Sequence, residues 1–240
     1  MITAEQTMRD IVLEHNGTAE VLEKYGLDFC CQGTRSLEEA CKMRNLNTDA
    51  VLEELKASFV DEAGADRFQK WDLGFLCDYI VNHHHTYVKE TMPTIKEHLT
   101  KVIGVYSQRY PTLKDVGAIF AHVCQELEMH MMKEEKMLFP FVAQLSQAQK
   151  LGLPYPASVF GSVDNPIAMM QSEHEHAGAA MEKIRELLND YTPPEDACTT
   201  FRLTYNELSA FEHDLHRHVF LENAILFPRA QKLEKEFVNG

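Results

Sequence analysis

Two stretches of this chain repeat one arrangement of chemically capable side chains. His130, Glu134 and Leu138-Phe139-Pro140 recur at the same spacing as His218, Glu222 and Leu226-Phe227-Pro228. On a helix, residues four apart lie on one face, one turn above another. Each phrase therefore offers an imidazole and a carboxylate to a common point. Two such helices facing one another bring together two His and two Glu, a large part of a dinuclear metal site. The remaining nitrogen ligands have matching positions upstream: His85 lies 45 residues before His130, and His174 lies 44 before His218. The chain thus reads as two His…His-x-x-x-Glu halves, each long enough for a helix hairpin, and a repeat of spacing together with flanking residues is hard to produce by chance.

The surroundings decide between a solvated surface pair and a ligand pair. Met131, Leu138 and Phe139 flank one copy, and Val219, Phe220, Leu226 and Phe227 flank the other. A His and a carboxylate turned toward such an apolar seam must be paired or metal-bound, because burying them alone costs several kcal/mol. Imidazole with carboxylate suits iron, manganese or zinc and lacks the thiolates of a soft-metal site. Ferritin-like bundles are carboxylate-rich and use Glu-x-x-His. The reversed order, the spacing of four and the abundance of His favour four His and two Glu with both Glu bridging two irons, a set suited to binding small diatomics at ferrous iron. For the first-helix ligand, His83 falls opposite the core centre at Val88, and periodicity does not choose between His84 and His85. His122, His176, His213 and His216 have no matching partner in the other half and read as surface or outer-sphere residues. The adjacent Cys30 and Cys31 sit between two helical segments. They are either small residues at a turn or, where a helix start lowers a thiol pKa, a redox or metal-handling pair.

Positioning these groups needs helices, and no segment has a sustained strand-like alternation. Thr3-x-x-Gln6 and Ser36-x-x-Glu39 are capping-box patterns opening short helices near the N-terminus, and a further segment over about 48–59 carries Val51, Leu52, Leu55 and Phe59 on one stripe. Residues 1–59 form a small helical Cys-Cys domain too short to carry much core of its own. The polar stretch 60–70 reads as a linker. Over 71–238 four longer helices follow. The first, about 72–107, is expected to kink at Pro93. The second starts with Thr112 as N-cap. The third starts with Asn165-Pro166 as N-cap and first helical residue. The fourth opens on a capping box at Thr192-Pro-Pro-Glu195. The fold class is all-α: an up-down-up-down four-helix bundle behind a small N-terminal helical domain.

Composition removes other classes. The 240 residues are 45% hydrophobic, which is ordinary for a globular protein. No apolar run approaches the roughly 20 residues that span a bilayer, and the N-terminus has scattered charges and no apolar core, so no export signal is read and a cytoplasmic location is expected. A formal net charge of −14 argues against a nucleic-acid surface. Six Cys without a Cys-x-x-Cys pair are expected as free thiols.

At this point the residues match a family. Tyr25-Gly-Leu-Asp-Phe-Cys-Cys-Gln-Gly-Thr34, His130-Met-Met-Lys-Glu-Glu135, Ser172-Glu-His174 and Leu221-Glu-Asn-Ala-Ile-Leu-Phe-Pro-Arg-Ala230 resemble the Repair of Iron Centres proteins over nearly the whole chain. The resemblance implies a hemerythrin-like bundle with two non-haem irons, oxo- or carboxylate-bridged, held by four His and bridged by two Glu. Carried over, the ligands are His85, His130, Glu134, His174, His218 and Glu222; the family's first-helix ligand stands eight residues before a Pro, which selects His85. It places Cys30 and Cys31 on the family's Cys pair, and Glu126 and Glu173 on acidic positions near the metal centre. The implied function is repair of iron–sulfur clusters damaged by oxidative and nitrosative stress, as an iron donor or nitric-oxide handler. The expected partners are damaged iron–sulfur proteins or iron acceptors, and nitric oxide or oxygen as small ligands. The alternatives are a hemerythrin-like oxygen or nitric-oxide binding or sensing protein, and a nitric-oxide reductase. A homodimer is expected, with the small domain packed on the bundle of its own or the other subunit.

Overall fold

The computed structural model describes residues 2–15, 17–58 and 65–239. Every regular element among them is helical, and the only extended pairing is an isolated bridge between Thr7 and Ser36. Four long rods make the bundle. α6 (Leu73–Ile80) passes through a π-turn, π1 (Val81–His85), into α7 (Thr86–Tyr106). α8 (Thr112–Lys133) passes through π2 (Glu134–Leu138) into α9 (Phe139–Leu151). α10 (Asp164–Leu187) is the third rod, and α11 (Thr199–Phe220) continues through π3 (Leu221–Leu226) into α12 (Phe227–Asn239). α7 packs on α8 and α11, and α10 packs on the same two helices, so the rods close a ring in up-down-up-down order.

The ring forms because each rod carries a stripe of apolar residues at helical spacing. On α8 the buried stripe is Leu113, Val116, Phe120, Val123, Leu127 and then His130; on α11 it is Phe201, Tyr205, Leu208, Phe211, Leu215 and then His218. The histidines thus occupy core positions, and helix packing alone points them inward. α7 runs on through Pro93 without interruption.

Three of the expected helix starts move. Thr112 is the first helical residue of α8 rather than its cap. α10 begins at Asp164, ahead of Asn165, because the Glu234 carboxylate from α12 does the capping: it accepts from Val163 N at 2.9 and 3.1 Å and from Ser162 Oγ at 2.7 Å. The fourth rod does not start at Thr192. Asn189, Asp190 and Tyr191 all take left-handed backbone, with φ of 50°, 52° and 54°, and swing the chain through a turn, so α11 starts only at Thr199.

The N-terminal part holds α1 (Met8–Glu14), α2 (Thr18–Lys24), α3 (Leu37–Met43) and α4 (Thr48–Ala57). The Ser36–Glu39 capping box forms reciprocally, whereas the Thr3–Gln6 pair closes only a turn and Thr7 caps α1. In the expected linker, residues 60–64 lie outside the described residues, as does Phe59 of the expected stripe, and Ala65–Lys70 form a short helix, α5. The loop between α2 and α3 folds tightly: a Cβ on Gly33 would stand 2.1 Å from the Phe29 carbonyl oxygen. This loop is laid on the bundle. Phe29, 2% exposed, packs edge-on against Phe220 at 5.5 Å, and Arg44 pairs with Glu182. The small domain therefore borrows its missing core from the bundle of its own chain.

Candidate metal centre

The four rods deliver His85, His130, Glu134, His174, His218 and Glu222 to one point, where none is more than 2% exposed. They form two donor clusters. One is His85, His218, Glu134 and Glu222; the other is His130, His174, Glu134 and Glu222; within each, the donor atoms lie within 4.8 Å of one another. Both carboxylates belong to both clusters. Glu222 turns Oε1 to His218 Nε2 at 2.9 Å and Oε2 to His174 Nε2 at 3.0 Å. Glu134 Oε2 stands 3.3 Å from the Nε2 atoms of both His85 and His130.

The three π-turns fall at these residues. A π-turn widens the helix by one residue and rotates the next side chains off the α-helical register, and such turns are frequent at functional sites. Glu134 opens π2, and Glu222 and its neighbour Asn223 lie in π3. π1 buries His84 and His85 together, at 3% and 0% exposure.

The donor set fits bound cations. His85 and His218 point Nε2 at Nε2 across 3.2 Å, and His130 and His174 do so across 3.0 Å, distances that a shared proton or a cation held by both rings would satisfy. Both oxygens of Glu134 and Oε2 of Glu222 are buried without a hydrogen bond, and such groups require a partner. The electrostatics point the same way. Burial alone would push both glutamates up, but His130 and His85 pull Glu134 below its ordinary range, and His218 and His174 pull Glu222 well below it. Burial works against charge on His130 too, yet Glu134, Glu173 and Glu222 outweigh it and push it up to about 10. On His218 too the facing Glu222 and Glu134 outweigh burial and raise the ring's pKa, so these two imidazoles favour the positive charge that balances the carboxylates.

Beyond the donors, the halves continue to mirror one another. The residue after each shared Glu reaches a histidine on the other rod of its hairpin: Glu135 meets His85 Nδ1 at 2.8 Å, and Asn223 Oδ1 meets His174 Nδ1 at 3.1 Å. Such outer partners fix the ring and raise its donor strength. The residue before His174, Glu173, takes His130 Nδ1 at 2.9 Å; that hydrogen bond and Lys133 hold its carboxyl at about 2 against the pull of burial. The residue in the equivalent place before His85 is His84, and there the mirror breaks. His84 bonds Asp214 at 2.9 Å and stacks its ring on His218, 5.6 Å between centroids at 6°, leaving His218 Nδ1 without a hydrogen bond. Burial outweighs Asp214 and lowers the His84 pKa. Sequence reading missed Glu135, Asn223, His84 and Asp214 as partners; the polar residue following each Glu of the repeat was the available signal.

Glu126 is set further out. It is 3.7 Å from the exposed His122 and lines, with His130, Glu173 and His174, a cavity of about 350 Å³ that reaches the centre from solvent. Cys30 and Cys31 lie directly against the bundle. Cys31 Sγ is 3.5 Å from the His174 carbonyl oxygen, and Asn223 Nδ2 donates to the Cys30 carbonyl at 3.3 Å. Asp28, Cys30 and Cys31 gather a carboxylate and two thiols within 4.8 Å. The pair is not at a helix start, and the expected lowering of a thiol pKa does not occur at Cys30. Its hydrogen bond with Cys31, its burial and the facing Asp28 carboxylate all raise it well above the ordinary thiol value. All six Cys are free.

A helix ring that converges histidines and glutamates on a buried cation site defines a hemerythrin-like metal-binding protein. Residues 76–230 match the hemerythrin HHE cation binding domain, and residues 4–58 match a domain of unknown function, DUF542. The iron-sulfur cluster repair protein YtfE of Enterobacter sp. (strain 638) is 33% identical over 96% of this chain and 98% of its own. Its namesakes from Citrobacter koseri and Escherichia coli O81 are each 32% identical, over 94% and 96% of this chain and 96% and 98% of their own. The chain belongs to the Repair of Iron Centres family, with a DUF542 domain ahead of a hemerythrin domain. The hemerythrin domain implies non-haem iron binding. Among the described residues no helix is long and apolar enough to cross a membrane.

Proposed function

We propose that this chain repairs iron–sulfur clusters damaged by oxidative and nitrosative stress, as a donor of iron held in a two-ion centre. The observation that carries the reading is the sharing of Glu134 and Glu222 by two donor clusters: these carboxylates and the four imidazoles are the residues that would hold two ions. On this reading His85 and His218 hold one iron and His130 and His174 the other. When bound, ferrous iron supplies a labile ion for transfer and an open position for a diatomic ligand. The protein's own residues do the rest. Glu135, Glu173 and Asn223 fix the rings, and the apolar rods exclude water. The Cys pair supplies an exit: Cys30 and Cys31 with Asp28 form a three-donor set beside His174, where an arriving cation would deprotonate the raised thiols. Cargo iron would move from imidazole to thiolate. The division into a Cys-Cys domain (1–59), linker (60–70) and bundle (71–238) follows this division of labour.

The test is recovery of a nitric-oxide-damaged iron–sulfur enzyme on adding equal amounts of iron-loaded variants. Cys30→Ser with Cys31→Ser is expected to keep the iron spectrum and slow recovery, and Glu134→Ala with Glu222→Ala to abolish both. Full recovery with the Glu variants would remove the centre from the function, and full recovery with the Cys variant would reduce the pair to a structural turn. The cavity beside Glu126 and Glu173 favours a second reading, binding of nitric oxide or oxygen at the same centre; the formation of nitrous oxide from nitric oxide by the reduced protein distinguishes turnover from binding.

A further inference from the structure

Every fourth residue from Trp71 to His83 carries an aromatic ring: Trp71, Phe75, Tyr79 and His83. Phe75, Tyr79 and His83 stand one turn apart on one face of α6 and π1. Packing of the core does not account for this stripe, since Phe75 and His83 are exposed and Trp71 and Tyr79 are half-buried. The rings are nevertheless in contact. Trp71, just ahead of α6, folds back on Phe75 at 4.8 Å between centroids and on Tyr79 at 5.1 Å. Tyr79 stacks on His83 at 5.2 Å. From Tyr79 the contacts also turn inward: its ring meets His84 edge-on at 5.9 Å, and His84 lies parallel to His218 at 5.6 Å. All of these fall in the range of attractive aromatic contact, about 4.5–7 Å. The outer end is held in place. Arg229 of α12 donates to the Phe68 and Trp71 carbonyls at 3.4 and 2.7 Å, and the Phe68 ring packs on both Trp71 and Tyr79. Unbroken ring contacts thus run from the surface at Trp71 to His218, a member of the donor clusters.

We propose that Trp71, Tyr79 and His84 are the electron route between the protein surface and the metal held by His218, used by a reduced one-electron carrier protein to turn ferric ion ferrous. Tunnelling weakens exponentially with the gap to be crossed, and it is faster through π systems in contact than through saturated chain. Three ring contacts in series replace one long gap between the surface and the centre. In each transfer one electron leaves the carrier and one is taken up at the metal. No bond forms or breaks, and the three rings gain neither electrons nor protons on balance. They act as positioning residues for the electron's path; none is a metal ligand. The inference rests on iron at His218 and not on cluster repair, to which it adds the step that yields the labile ferrous form.

Trp71 is the single tryptophan of the chain, so its fluorescence decay reports on this route alone. Excited indole gives an electron to a ferric ion and takes it back, so loading the full chain with ferric iron should shorten the decay markedly against the iron-free chain. Tyr79→Leu should restore most of the decay, and Tyr79→Phe, which keeps the ring, should leave it short. Energy transfer through space is indifferent to the ring at position 79 and would leave the decay equally short in Tyr79→Leu. Stopped-flow electron transfer from the ferrous-loaded chain to ferricytochrome c, a basic carrier suited to a net charge of −14, tests the same route in reverse. Trp71→Leu and Tyr79→Leu should each slow it about tenfold, with Tyr79→Phe at the unaltered rate. Iron per chain is counted in every sample, and a chain that takes up no iron removes the centre and the route together. With iron bound normally, an unshortened decay in the unaltered chain, or a decay or cytochrome rate indifferent to Tyr79→Leu, overturns the route alone.

Discussion

Replacing Asn223 by alanine is expected to make the better-held metal position as labile as the weaker one. Asn223 Oδ1 accepts from His174 Nδ1 at 3.1 Å, and His174 is 1% exposed, so no bulk water replaces a lost acceptor. A neutral hydrogen bond contributes about 0.5–1.5 kcal/mol net, and a buried donor left without an acceptor costs about 1–3 kcal/mol. With about 1.4 kcal/mol per factor of ten, metal held by His130 and His174 should weaken about 10- to 100-fold, the usual range for loss of an outer partner. The His85–His218 position already lacks one such bond, because His218 Nδ1 has no acceptor. Iron removal from the unaltered protein by a chromophoric ferrous chelator, followed anaerobically by stopped flow, should therefore run in two phases, the faster from that position. In Asn223→Ala the slow phase should speed up and merge with the fast one. Asn223→Asp, which restores an acceptor, should keep two phases. Mössbauer spectra of half-depleted samples identify which ion has gone. A slow phase that persists at the unaltered rate in Asn223→Ala refutes the argument that these outer bonds set metal retention.

Three further outcomes are expected. Glu134→Ala or Glu222→Ala removes a shared carboxylate and should lower iron per chain or loosen the coupling between the ions; two tightly coupled irons in both variants would mean that the bridges are misassigned. Glu234→Ala strips a buried carboxylate from Val163 N, Ser162 Oγ and Tyr155 Oη and should cost about 3 kcal/mol of stability, since bonds to charged groups contribute about 1.5–3 kcal/mol each; a change below about 0.5 kcal/mol in urea unfolding contradicts the capping role. Asp72 is pushed up by burial, but Lys150, Ser146 and the Phe75 N–H outweigh it and hold its carboxyl at about 2, against an ordinary 3.8. A depressed folded pKa gives stability that is complete above the unfolded value and is lost as pH falls through the folded one. The contribution, about 2 kcal/mol by shift and nearer 1 after solvent screening, should fade from about pH 4 to 2. Asp72→Asn should remove that slope, and identical acid profiles would show the carboxylate to be irrelevant.

What the sequence made legible follows from which relations are local. The His-x-x-x-Glu phrases could be read because spacing of four survives whether the following turn is α or π: each His closes an α-helix, and each Glu falls at or next to the start of the widened turn. The first-helix ligand could not be read from periodicity because π1 falls on the three histidines themselves and buries two of them side by side. The same widening turns Glu135 and Asn223 toward the rings, where a regular helix would leave them outside. The Cys pair's position was beyond sequence reading for another reason: its contacts with Asn223 and His174 join residues 193 and 143 apart, and no local pattern encodes them.

The repeat and its failure carry different information. Where the halves agree, they specify the common task of holding a cation: two imidazoles, two shared carboxylates and an acceptor behind each hairpin. Agreement alone would make the two ions equivalent, and a protein that gives up iron gains from one position that opens first. The halves depart at two places: Asn223 stands where the other half has Glu135, and, with the larger consequence, His84 stands where the other half has Glu173. A carboxylate there locks His130, while an imidazole stacks on His218 and cannot accept from its Nδ1 in that orientation. Stacking keeps the ring in place but leaves its donor strength unreinforced. On the proposed two-ion reading the asymmetry would lie in how tightly each position holds its ion, with the ligand types kept the same, and the weaker position would be the one beside the cavity of about 400 Å³ lined by His84, Asp214 and Phe29, between the bundle and the small domain. The position expected to hold its ion more firmly is on the side of His174, which the Cys loop covers. The two positions thus face different surroundings: one opens toward a cavity, and the other lies against thiols.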